Sequence, residues 1–215
     1  MSLEEVALQY KSDKADLNRG FLRLAKSFGT IVKRTYRFPL KATYNYITKS
    51  NNHYVFNLYA YKRGHWDRPL FCMFGIFDRP EGKYAFSVTD AGEVIFFPPH
   101  FFKRYRDRIL KEDLHGEDLI KAFFSRNVHF YFSPLSAEFA SKYREYISDD
   151  KESFAGSCTD GNLFLEKPSP YYAIVKTIVS DEMLGDTQTQ AFSVLAENRD
   201  FLTRIRGVRQ VSALL

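Results

Sequence analysis

The chain has 215 residues, 45% of them apolar and 27% charged, with a net charge of +5 and a pI near 9.1. That is enough chain for one sizeable core, and the balance is that of a globular protein. Two cysteines exclude a disulfide framework, and the mild positive excess permits a phosphate-bearing partner without requiring one.

Aromatic residues are in excess, with 21 Phe, 14 Tyr and one Trp. Rings of this kind fit a pleated, half-buried surface, so a Phe-filled, sheet-rich core is expected, with base stacking as the alternative use. The N-terminus has no basic segment leading into an apolar one, and no apolar run approaches a membrane span. The expectation is a cytoplasmic protein with no membrane association.

In chain order, residues 3–28 read as a helix. Val6, Leu17, Phe21, Leu24, Ala25 and Phe28 recur at helical spacing, and Gly29 offers a stop. The first half is charged and weakly apolar, which suggests a loosely held or interface-forming segment. Residues 1–30 are therefore read as an N-terminal helix and 31–215 as a single domain.

From 35 to 97 the pattern turns to period two. "YRFPL", "KATYNYIT", "HYVFNLYAYKR", "LFCMFGIFD", "KYAFSVTD" and "EVIFFP" are separated by short turn clusters, which implies an antiparallel meander. Within the third segment Tyr54, Phe56, Leu58 and Ala60 share one face. His53, Val55, Asn57, Tyr59 and Tyr61 share the other. Cys72, in "LFCMFGIF", reads as a buried free thiol.

Helices follow at 98–111, 116–127 and 135–148. After a polar loop in which a strand begins near 154 come the strands "LFLEK" and "YYAIVKTIVS", and the tail 181–206 reads as helix. The expected class is α+β: an antiparallel sheet, made of an N-terminal meander and C-terminal strands, packed by helices.

The segment "PPHFFKRYRDRI" carries the most chemistry. Phe101, Phe102, Tyr105 and Ile109 form the buried face of its helix. His100, Arg104 and Arg108 step by four residues along the border of that face. A histidine there can move a proton near neutral pH, and two arginines can clamp a phosphate. The plainer reading is a helix-capping histidine with arginines paired to carboxylates.

This His-x-x-x-Arg-x-x-x-Arg helix resembles that of the barnase–EndoU–colicin–RelE group of toxin ribonucleases. The resemblance implies metal-independent cleavage of RNA, often by bacterial or phage-associated toxins, from a helix beside a small antiparallel sheet. Carried onto this chain, His100 would transfer the proton, Arg104 and Arg108 would hold the phosphate, and Lys176 or Thr177 from a later strand would assist. RNA and a neutralising protein would be the partners. The chain departs from that pattern in placing a meander before the helix and two further helices after it.

The alternative is a non-catalytic binding protein, using the aromatic strand faces at Tyr54 to Tyr61 and Phe96–Phe97 against a protein or nucleic acid. The other histidines are weaker candidates. His53 reads as a strand end, His65 as packed on Trp66, His115 as exposed and His129 as half-buried. Trp66 itself admits a stacking role on a base. No metal-ligand spacing, nucleophile elbow or phosphate loop occurs, so neither cofactor nor metal is expected. The loop around Cys158 reads as turn chemistry, and the tail arginines Arg204, Arg206 and Arg209 as a solvated helix end.

Overall fold

The computed structural model describes residues 1–89, 91–134, 152–185, 189 and 192–201. Helix α1 (Leu3–Arg34) starts at a reciprocal cap: Ser2 Oγ accepts the Glu5 N–H at 3.1 Å, and the Glu5 carboxylate accepts the Ser2 N–H at 2.6 Å. Glu4 and Glu5 lie in its first turn and Lys33 and Arg34 in its last, both favourable to the helix dipole.

The helix runs past Gly29, where the sequence suggested a stop. A Cβ on Gly29 would stand 2.0 Å from the Trp66 carbonyl oxygen, so this glycine serves a close approach of two backbones instead. The first half of α1, expected to be weakly held, buries Val6, Ala7, Tyr10 and Asp13.

Among the described residues nine strands form one sheet: β1 (Leu40–Ile47), β2 (His53–Ala60), β3 (Leu70–Arg79), β4 (Gly82–Val88), β5 (Val94–Phe97), β6 (Tyr131–Pro134), β7 (Glu152–Cys158), β8 (Gly161–Ser169) and β9 (Tyr172–Val179). Their spatial order is β1-β2-β3-β4-β5-β9-β8-β7-β6. Two antiparallel meanders, β1–β5 and β6–β9, meet where β5 and β9 run parallel through Val94↔Tyr172, Ile95↔Ala173 and Phe96↔Ile174. The sheet is therefore mixed, which corrects the expectation of a wholly antiparallel one. Residues 36–39, expected as strand, lie outside β1, and β6 went unread in the sequence.

Both faces of the sheet are covered at β2 and β5, whereas β1 exposes Lys41, Thr43, Asn45 and Ile47 on one side. Tyr54, Phe56, Leu58 and Ala60 of β2 pack under α1 together with Phe86 and Phe96. Val55, Cys72, Phe74 and Phe97 pack against helices α2 (Pro99–Tyr105) and α3 (Gly116–Arg126) on the other side. The alternation inferred for β2 is thus observed, but neither face is open: Phe96 and Phe97 are fully buried and Tyr54 and Tyr59 nearly so. Burying each such ring contributes on the order of 2 kcal/mol.

Helix α2 continues into a π-helical turn, Arg106–Leu110, closed by Lys111 in the left-handed region at φ 55°. The expected helix at 135–148 lies outside the described residues. Of the expected tail helix, Asp181–Met183 form a 3₁₀ turn and residues 192–201 are helical, with Phe192 packing on Phe164 of β8. Residues 202–206 lie outside the described residues. None of the described helices is long and apolar enough to cross a membrane.

Each meander is tied to its helices by a buried carboxylate. Asp13 of α1 accepts from Thr48 Oγ1 (3.3 Å), Asn52 Nδ2 (2.7 Å) and the Tyr54 hydroxyl (3.0 Å). Asp160, in the β7–β8 turn, accepts from the Tyr105 hydroxyl (2.6 Å), Arg126 Nε (2.8 Å) and Asn127 Nδ2 (2.9 Å). Burial pushes the Asp160 carboxyl up, but the hydrogen bonds from Arg126, Tyr105 and Asn127 outweigh it and hold the group below its ordinary range.

Candidate functional site

The five residues singled out from the sequence come together, along a seam between α2 and β9. Strand β5 ends at Phe97, and Pro98 and Pro99 follow it. Neither proline has an N–H, so neither can extend the ladder to β9, which loses its parallel partner after Ile174.

Helix α2 and the π-helical turn that continues it supply donors instead. Arg104 Nη1 donates to the Lys176 carbonyl at 2.9 Å. Arg108 Nη1 donates to the Ile178 carbonyl and to Thr177 Oγ1, both at 3.1 Å. Arg104 lies near the end of α2 and Arg108 in the π-helical turn that continues it, and arginines four apart thus meet carbonyls two apart. Lys176 is also the residue at which the β8–β9 register shifts, since Phe164 pairs with Thr177 but Leu165 with Val175.

His100 stands at the open end of the seam and is exposed. Burial of its inner edge lowers its pKa, the charges of Arg104 and Lys176 lower it further, and the Lys176 carbonyl only partly opposes them. Lys176 Nζ pairs with the buried Glu166 carboxylate at 3.2 Å, and Thr177 is fully buried. Both arginines therefore spend a donor each on strand carbonyls.

A different surface presents cations and rings to solvent. At the end of α1, Lys33 Nζ lies 3.5 Å from the centroid of the Trp66 indole. In the 3₁₀ turn Arg63–Trp66, the Arg63 guanidinium lies 4.9 Å from the centroid of Tyr36 and donates to the Lys33 carbonyl at 2.8 Å. These contacts join Tyr36, Arg63, Lys33 and Trp66 into one patch. Tyr36 is 86% exposed and Trp66 43%. Arg34, Arg37, Lys62 and Arg68 are exposed alongside them.

Charge is also unevenly distributed along the chain. Between Leu17 and Phe77 the sequence has eleven Lys and Arg residues against one acidic residue, Asp67. The rest of the chain is net acidic, so the positive charge is concentrated on the part that carries the patch.

The remaining histidines have local roles. His65 is buried, its Nδ1 receives the Tyr61 N–H at 3.4 Å, and its ring meets Tyr61 edge-on, a different contact from the expected one with Trp66. His115 is exposed and shares hydrogen bonds with Arg106 and Asp113. His53 opens β2 and is exposed, whereas His129 is buried. Both cysteines are free and buried, and burial pushes their thiols up to about 12. Among the described residues no group of three or more His, Cys, Asp or Glu is placed to hold a metal ion.

Sequence reasoning named Trp66 as a possible stacking ring but missed its partners. Lys33 and Tyr36 precede it by some thirty residues, and only the packing of α1 on the 3₁₀ turn brings them together. Comparison of the chain with protein-family models, with curated proteins and with solved structures finds no match.

Proposed function

We propose that this protein binds single-stranded nucleic acid, without need of catalysis, through the patch formed by Lys33, Tyr36, Arg63 and Trp66. The observation that carries this reading is the pair of exposed rings, each with a cation at hand, linked through the Arg63 bond to the Lys33 carbonyl. Unpaired bases stack on such rings while the neighbouring cations meet phosphates. The concentration of positive charge between Leu17 and Phe77 favours a polyanion as the partner.

Trp66 is the only tryptophan, so its fluorescence reports on the patch directly. Titration with single-stranded RNA and, separately, single-stranded DNA should quench it saturably at low salt. Affinity should fall as salt rises, with a slope of about 0.7 per phosphate contacted. Absence of quenching at low salt refutes the reading. Equal affinity for inorganic polyphosphate, which has no bases to stack, refutes the stacking half of it.

A second reading, cleavage of RNA by His100, is favoured by the convergence of His100, Arg104, Arg108, Lys176 and Thr177 on one seam. It requires Arg104 and Arg108 to serve a phosphate with the donors that β9 leaves over. RNA cleavage in the presence of EDTA that is lost in His100→Ala would establish it.

A further inference from the structure

A cavity of about 530 Å³ passes through the sheet, and nothing in the nucleic-acid reading uses it. Its origin is a breach in the strand ladder. Strand β3 pairs with β2 from Leu70 to Gly75, but with β4 only from Phe74 to Arg79. Opposite residues 70–73 of β3, strand β4 ends at Val88 and turns through Thr89–Gly92 into β5. The bond from Ser87 Oγ to the Met73 carbonyl, at 3.2 Å, is the last link before the strands part.

The opening connects the two layers of the molecule. On the α1 side the walls include Tyr10, Phe21 and Met73. On the far side they include Cys72, Phe130 and Phe132, the last two on the segment that leads from α3 into β6. A void of this size far exceeds the gaps that a close-packed core tolerates. It falls within the roughly 300–1,000 Å³ that small-molecule sites occupy.

Lys14, Glu93 and Lys167 are the charged side chains of the described lining. Glu93 and Lys167 face each other there at 2.5 Å, and Lys14 of α1 lines the same cavity with no ion pair among the described residues. Two lysines of the described lining stand against one carboxylate, and although Glu152 acts on Lys167 from outside the lining, Lys14 is a cation left over. Aromatic walls with a positive end suit a molecule with an apolar body and one negative head.

We infer that the sheet breach is a binding site for a small amphipathic carboxylic acid, its chain between the aromatic walls and its carboxylate at Lys14 and Lys167. Glu93 already pairs with Lys167, and the head meets the cation left over. Cys72, although in the wall, forms no bond to the ligand, because its thiol stays protonated and buried.

The test is a titration with a dansyl-labelled undecanoic acid, displaced in turn by dodecanoic acid, dodecanol and dodecylamine. The acid should displace the probe at the lowest concentration and the amine at the highest. Replacing both lysines, Lys14→Met with Lys167→Met, should weaken dodecanoic acid by about tenfold and leave dodecanol unchanged. Met73→Trp, which fills the breach, should abolish binding of all three. In the unaltered protein, dodecanoic acid should shift the methyl resonances of Met73 and Val88, a readout that does not depend on any variant folding.

Equal displacement by the acid, the alcohol and the amine overturns the inferred head group. Methyl shifts confined to residues away from the breach overturn the site itself. Neither outcome touches the nucleic-acid reading, and Trp66→Ala should bind the acid as the unaltered protein does.

Discussion

The seam between α2 and β9 and the patch at the end of α1 are made of the same residue types, basic side chains beside aromatic ones. They differ in where the donors go. At the seam, Arg104 and Arg108 donate to the carbonyls of Lys176 and Ile178. At the patch, Arg63 reaches a backbone carbonyl, and Lys33 rests on the exposed indole. Cations that complete a broken strand ladder belong first to stability, and cations held over exposed rings are those the proposed nucleic-acid site uses.

The largest expected effect breaks that contrast from the seam side. Arg104→Ala combined with Arg108→Ala leaves two strand carbonyls without donors and should lower stability by about 2–5 kcal/mol. Urea unfolding of the double variant measures this. A loss no larger than that of Trp66→Ala would show that the seam is not a structural device.

Next comes the patch. Trp66→Ala should weaken single-stranded RNA binding by about tenfold, since stacking on a ring is worth roughly 1–3 kcal/mol. Its stability should change by less than about 1 kcal/mol, because the ring is exposed. Anisotropy with a labelled oligonucleotide, read beside the same urea unfolding, separates the two effects. A variant that binds normally removes Trp66 from the proposed interface.

The smallest effect sharpens the contrast at His100. Its pKa is lowered in the folded protein by burial and by Arg104 and Lys176. The unfolded chain therefore takes up this proton first as pH falls through the ordinary histidine value of about 6.5. The stability His100 contributes is fully present above that value, declines as pH falls through it, and levels off below the folded pKa. His100→Gln should flatten this part of the stability profile between neutral pH and pH 5. An unchanged profile would mean that the seam does not sense the charge on His100.

Much of the fold was legible because it is written in short-range periodicities. The alternation of β2, with Tyr54, Phe56, Leu58 and Ala60 on one face, is local, and so is the step of four that aligns His100, Arg104 and Arg108. What those patterns pack against is not local. The sequence around Phe96 and Phe97 reads the same whether a helix covers it or not, so two buried faces passed for exposed ones. Gly29 read as a helix stop because its reason, the Trp66 carbonyl, lies in a distant turn. The grouping of Lys176 and Thr177 with the stripe came from resemblance. The carbonyls that explain the grouping belong to the backbone, which no residue pattern names.

The three-residue parallel pairing of β5 with β9 also has a consequence in time. Every other strand pair joins consecutive strands. Closing Val94–Phe96 onto Tyr172–Ile174 draws together distant parts of the chain for a very short ladder. The loop entropy must be met before those few bonds return anything. The local pairs of each meander are expected to close first, with the junction following. That very short ladder is thereby also the last step expected in the assembly of the sheet.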